Sequence, residues 1–119
     1  MKGSCHCGAV ELEVAAAPSE VAECNCSLCR RVGGLWAYYH PDEVRIVSRP
    51  DSMIRYVQGD RTLATCHCGT CGCTTHWEPL PGSGAATGEV RPLMGVNARL
   101  LDGVDKNRVR VRQVDGASF

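Results

Sequence analysis

Cys24, Cys26 and Cys29 place three thiols within six residues, and Arg30 and Arg31 follow at once. A hydrophobic core has no need of such a cluster. At this C-x-C-x-x-C spacing the sulfurs reach one centre if the backbone curls into a tight turn. Zinc accepts sulfur ligands in a tetrahedral shell, and three protein ligands leave one position open. Three thiolates on Zn²⁺ leave about one negative charge. A neighbouring arginine offsets that charge or takes a carboxylate of an incoming ligand. The open position suits water or an outside thiol, and a coordinated thiol is deprotonated outright at neutral pH. The segment therefore reads as a reactive centre: Cys24, Cys26 and Cys29 are catalytic metal ligands, and Arg30 and Arg31 face the bound molecule.

A second constellation comes from distant parts of the chain. Cys-His-Cys-Gly occurs at 5–8 and again at 66–69. A zinc knuckle needs a glycine just after a ligand cysteine, because glycine accepts the left-handed turn that aims backbone N–H groups at the sulfurs. Gly8 follows Cys7, Gly69 follows Cys68 and Gly72 follows Cys71. Cys5, Cys7, Cys68 and Cys71 then make a closed four-thiolate zinc site with no vacancy for substrate. Such a site is structural, and its binding energy is folding energy. The three-ligand centre is expected to be the more labile of the two. Cys66 and Cys73 are left over. Cys66 is an alternative to Cys68 or Cys71, and Cys73 could close the fourth position on Cys24, Cys26 and Cys29. The ordinary reading for both is a small buried hydrophobe in a strand.

These clusters need a scaffold, and the composition points to β-structure. The chain has 119 residues, 13 of them glycine and six aromatic, enough for one domain over 1–119 with one modest core. Ala9 to Val14 alternates apolar and acidic residues as a half-exposed strand does. Val21 to Glu23 is a short strand delivering Cys24. Ser27 is placed to cap one helical turn through Cys29, Arg30 and Arg31, ended by Gly33-Gly34. Strands are expected over Leu35–Tyr39, Val44–Val47, Met53–Val57, Leu63–Thr65, Thr74–Trp77 and 109–114, with Gln58-Gly59-Asp60 as a hairpin tip. Pro79 to Gly88 reads as an irregular loop. Trp36, Tyr38 and Tyr39 read as core. His6 and His67 should point away from the metal, and His76 reads as strand surface. His40 is the histidine to weigh as an acid or base. Arg108, Arg110 and Arg112 read as a solvated strand face.

Other classes are disfavoured. Nine cysteines are an odd number, and no secretory hydrophobic segment precedes Cys5, so metal binding in a reducing compartment, the cytoplasm, is the better reading than a disulfide framework. A formal net charge of zero supplies no field for nucleic acid. No apolar run is long enough to span a bilayer.

The chain resembles the glutathione-dependent formaldehyde-activating enzyme family, which includes the centromere protein V group. The likeness rests on Gly3-Ser4-Cys5-His6-Cys7-Gly8-Ala9-Val10, on 24–31, and on His67-Cys68-Gly69-Thr70-Cys71-Gly72, where the family commonly has an aromatic at His67. The segments 96–102 and Asp115-Gly116-Ala117 are also similar. The resemblance implies a mainly β fold of several small curled antiparallel sheets held by a four-cysteine zinc site, shared with a Rab exchange-factor accessory protein. It implies a carbon–sulfur lyase joining glutathione, or a similar small thiol, to formaldehyde or another aldehyde. It also implies a catalytic zinc on Cys24, Cys26 and Cys29 and a structural zinc on Cys5, Cys7, Cys68 and Cys71. A non-catalytic zinc-stabilised binding module and a thiol-based reductase using Cys66 or Cys73 are the alternatives.

Overall fold

Alternation is clearest in Val10–Val14, where Val10, Leu12 and Val14 are buried and the two glutamates between them are exposed. A period of two with one apolar face makes a strand packed on one side only. In the computed structural model, which describes residues 1–59, 61–80, 92–105 and 107–118, this segment is β2. Its partners are β1 (Lys2–Ser4) and β5 (Val44–Ser48), in a three-stranded sheet ordered β1-β2-β5. The second sheet has seven strands: β3 (Glu20–Cys24), β4 (Trp36–Tyr39), β6 (Met53–Val57), β7 (Leu63–Cys68), β8 (Thr74–Pro79), β9 (Met94–Asn97) and β10 (Arg110–Val114). Their order is β10-β3-β4-β9-β8-β7-β6. The chain is mainly β, and its strand pairs are antiparallel except for β10 beside β3.

The parallel pair decides much of the site. Val114 lies beside Cys24, so the residues after β10 emerge at the same end of the sheet as those after β3. β9 leaves the sheet at this end too, because it runs antiparallel to β4, with Asn97 opposite Trp36. Asn97 is buried, and its amide makes three hydrogen bonds: the oxygen accepts from Leu35 N–H at 3.3 Å and Arg99 N–H at 3.2 Å, and the nitrogen donates to Thr74 O at 2.8 Å. One side chain thus ties three chain segments below the centre.

The only α-helix among the described residues is one turn, α1 (Cys29–Val32). Gly33 ends it in the left-handed conformation (φ 68°), as expected. Ser27 does not cap it: the N-cap position is Leu28, with no side-chain bond, and the Ser27 carbonyl instead accepts from Arg31. Strand β8 continues through Pro79, one residue into the segment expected to be irregular. The remainder of that expected loop, from 81 onward, lies outside the described residues, as does Asp60 of the expected hairpin tip. Arg110 and Arg112 are exposed and reach Glu20 across the parallel ladder, at 3.7 and 2.6 Å. Among the described residues no helix is long and apolar enough to cross a membrane.

Candidate metal centres

Two hairpin ends bring the first cluster together. Cys5 and Cys7 lie on the turn between β1 and β2, Cys68 ends β7, and Cys71 lies on the turn into β8. The four sulfurs all lie within 4.8 Å of one another. The Cys5–Cys7 and Cys7–Cys68 sulfur pairs are each 3.7 Å apart. Four sulfurs about 2.3 Å from a tetrahedral zinc would be about 3.8 Å apart, so the donor set fits that ion. Gly8 and Gly72 both have φ 82°, and the Val10 and Thr70 N–H groups point at Cys5 and Cys68 sulfurs at 3.3 and 3.4 Å. Gly69 departs from the expectation: its backbone is not left-handed, and its role is close approach. A Cβ there would meet Ile54 Cδ1 at 2.9 Å.

Without a cation these sulfurs divide protons unevenly. The Cys73 and Cys7 backbone N–H groups pull Cys71 down to about 5. The Ala9 N–H lowers Cys7, but desolvation and the sulfurs of Cys68, Cys5 and Cys71 push it up to about 11. A cluster that holds some sulfurs as thiolates beside others still protonated exchanges protons for a metal on binding. Since Cys5 and Cys7 extend from one sheet and Cys68 and Cys71 from the other, an ion here clips the two sheets together.

The second cluster forms where β3 gives way to α1. Cys24, Cys26 and Cys29 sulfurs lie within 4.8 Å of one another, and no fourth histidine, cysteine or carboxylate joins them among the described residues. The turn points its own amides inward: Cys26 N–H reaches Cys24 Sγ at 3.4 Å, and Cys29 N–H reaches Cys26 Sγ at 3.2 Å. Burial raises Cys26, but the Cys29 and Leu28 amides and the Cys29 and Cys24 sulfurs win and hold it below the usual thiol value. Burial, then the hydrogen bond from Cys26, pushes Cys29 up to about 12. The Trp36 indole N–H is buried beside Cys29 without an acceptor that meets hydrogen-bond geometry. An unpaired buried donor costs about 1–3 kcal/mol unless something accepts from it. A metal-held thiolate at Cys29 is the acceptor this environment fits.

The C-terminal turn lies over this centre. Asn25 donates its side-chain N–H to Asp115 at 2.9 Å and accepts from Ala117 N–H at 3.0 Å, while Asn25 N–H reaches Val114 O at 3.1 Å. Gly116 sits so close that a Cβ would be 2.5 Å from Cys24 Sγ. Beside the sulfurs opens a cavity of ≈ 260 Å³, with Arg30, Arg99 and Gln113 on its wall. Arg99, not singled out from sequence, is fixed by its Nε bond to Gly33 O at 2.9 Å. Arg31 turns back to the Ser27 carbonyl.

Tyr38 also departs from the core expectation. It shares a strand face with Trp36, yet it is 41% exposed. Burial of its hydroxyl end, opposed by Arg112 and aided by the charges of Cys24 and Cys29, holds it above the ordinary phenol value. It is a neutral O–H donor within the field of the sulfurs. The signal for it in sequence was only its place two residues after Trp36. His40 instead flanks the turn at Pro41–Glu43, with its amide on Glu43 at 2.8 Å and its ring facing Pro92 O at 3.3 Å.

The leftover cysteines go elsewhere. Cys73 adjoins the four-cysteine cluster: the His6 N–H lowers its thiol, but burial and the nearby Cys71 and Cys5 raise it overall. It does not close the centre on Cys24. Cys66 is wholly buried, and burial pushes its thiol up to about 12. Neither has the low-pKa accessible thiol that a redox nucleophile requires. His76, expected on the strand surface, is 2% exposed.

Two comparisons with known proteins bear on the family and the fold. A family model described as glutathione-dependent formaldehyde-activating enzyme matches residues 1–111. A crystal structure of a Rhodobacter sphaeroides protein, a structural genomics target, superposes with a TM-score of 0.73 at 33% sequence identity, covering 93% of this chain and 99% of that one.

Proposed function

Because the chain belongs to the glutathione-dependent formaldehyde-activating enzyme family, we propose that it is a zinc-dependent carbon–sulfur lyase. It joins glutathione, or a similar low-molecular-weight thiol, to a small aldehyde such as formaldehyde, or runs the reverse cleavage. The observation that carries this reading is the three-sulfur cluster without a fourth protein ligand among the described residues, opening on a cavity walled by two arginines. Zinc bound by Cys24, Cys26 and Cys29 supplies a Lewis-acidic position where an outside thiol gives up its proton.

The chain's own residues do the rest. Arg30 and Arg99 are placed to take carboxylates of the thiol substrate, fixing its sulfur near the cluster. In the addition, a sulfur–carbon bond forms, the carbonyl π bond breaks, and the proton lost from the thiol is made good on the carbonyl oxygen. The Tyr38 hydroxyl, which feels the charges of Cys24 and Cys29, is the neutral donor we assign to that oxygen as charge develops on it. The cluster on Cys5, Cys7, Cys68 and Cys71 is the structural zinc site, with no vacancy for chemistry.

The test is Cys26→Ser, followed by zinc per chain and by the rate of thiol–aldehyde adduct formation above the uncatalysed background. One zinc should be lost and the rate should fall to background. A variant with both ions and full rate would end this reading.

A further inference from the structure

A third set of ligand-type side chains lies away from both clusters. Register creates it. In the antiparallel trio β6-β7-β8, Arg55 pairs with Cys66, and Cys66 pairs with His76. Paired residues share a face, and Glu78, two residues beyond His76, joins them there. The ladder shifts just after Cys66: His67 pairs with Thr74, leaving Thr75 as an extra residue. A bulge of this kind re-aims the neighbouring side chains. A Cys66 sulfur, a His76 nitrogen and a Glu78 carboxylate oxygen converge within 4.8 Å of one another.

The hydrogen bonds define which atoms are available. Thr75 Oγ1 donates to the Cys66 carbonyl at 3.3 Å and sits 2.8 Å from His76 Nδ1. Met53 Sδ, at 3.8 Å, is the hydroxyl's other acceptor; with the hydrogen on either of these, the oxygen accepts from Nδ1–H, and in that tautomer the lone pair of the neutral ring is on Nε2. His76 Nε2 faces Glu78 Oε2 at 3.4 Å. In that tautomer two acceptors face each other, and a metal ion between them satisfies both. Two ligands about 2.05 Å from a tetrahedral zinc stand about 3.3 Å apart. Arg55 Nε holds the other carboxylate oxygen at 2.7 Å, which orients Oε2 as second-sphere donors orient ligating carboxylates. A nucleophilic Cys–His–acid triad does not match, because there the acid and the nucleophile occupy opposite ring nitrogens, and here Thr75 occupies Nδ1.

We infer that Cys66, His76 and Glu78 form a third metal site, for a borderline divalent cation such as Zn²⁺. Its open side faces a groove of ≈ 570 Å³ that His76 and Glu78 line together with Arg49, Asp51 and Met53. Binding releases the Cys66 thiol proton to solvent. One sulfur, one nitrogen and one oxygen make a donor set unlike either all-sulfur cluster, and the groove gives small ligands access to its vacant position.

The test is ¹¹³Cd²⁺ reconstitution of the full chain, desalted, read by ¹¹³Cd NMR and by metal per chain. Three ions are expected. Two resonances should fall in the thiolate-rich region, and a third should lie upfield of them, where mixed sulfur, nitrogen and oxygen ligation belongs. Cys66→Ala and Glu78→Gln should each abolish or weaken the third by at least tenfold and leave the other two in place. Thr75→Val, which removes the tautomer-setting hydroxyl, should weaken it about 10–100-fold. Cys26→Ser should remove a thiolate-rich resonance and spare the third, so the two proposals fail separately. Two ions in the parent protein, unchanged in Cys66→Ala and Glu78→Gln, would overturn the inference and leave the trio a hydrogen-bonded polar cluster.

Discussion

Gly116→Ala adds one carbon where the C-terminal turn crosses the Cys24–Cys26 loop. That carbon would stand 2.5 Å from Cys24 Sγ and 3.2 Å from Cys26 Cβ. Non-bonded carbons settle about 3.5–4.0 Å apart and sulfur is larger, so Cys24 Sγ must retreat by about 1 Å or more. Metal ligation tolerates only about 0.2 Å. The turn cannot simply lift away, because Asp115 and Ala117 on either side are bonded to Asn25 at 2.9 and 3.0 Å. Overpacking of this kind costs about 1–3 kcal/mol, which is about 5- to 150-fold in metal affinity. A competition titration with a chromophoric chelator, read as zinc per chain, measures it. One of the thiolate sites should weaken by that factor while the four-cysteine site and the circular dichroism spectrum stay as in the parent. Unchanged affinity at both sites would refute the packing argument, showing that the turn yields without moving the sulfur.

Mild chelation should empty the two all-sulfur sites in sequence, the three-cysteine centre first, because it has one fewer ligand and borders an open cavity; simultaneous release in a time-resolved chelator assay would contradict the assignment. Asn97→Ala should lower stability by about 2–4 kcal/mol in urea unfolding, since Leu35 N–H and Thr74 O lose a buried partner; a loss under about 0.5 kcal/mol, the size of an ordinary surface change, would show that these groups find other partners. Arg30→Ala should raise KM for a carboxylate-bearing thiol by about 10–100-fold with kcat little changed, the loss of one charge-assisted hydrogen bond; an unaltered KM would place the carboxylate elsewhere. Tyr38→Phe should keep both zinc ions and lower kcat by about 100-fold; full turnover in the variant would remove the hydroxyl from the reaction.

Local chemistry was legible in the residues themselves. Cys24, Cys26 and Cys29 are near enough in sequence for one turn of chain to gather them, so spacing alone announces a shared centre. Gly8 and Gly72 mark the two knuckles because few other residues accept φ near 80°. The alternation of Val10, Leu12 and Val14 reports a one-sided strand because side chains alternate faces with a period of two. These signals are short-range, and the mainly β architecture and the family follow from them.

Pairing across long sequence separations has no such local mark. Nothing in the residues 110–114 says that they lie parallel to β3, yet that choice delivers Asp115, Gly116 and Ala117 onto the Cys24 loop. Arg99 looks like any surface arginine until β9 ends beside β4 and its guanidinium meets Gly33 O. His76 and Cys66 looked unrelated because a bulge at Thr75 and the register of three strands, not their spacing, set them face to face. Spacing determined which atoms could bind, since a short loop has few ways to fold; strand order and register decided what surrounds them, since those depend on contacts made only when the whole sheet closes.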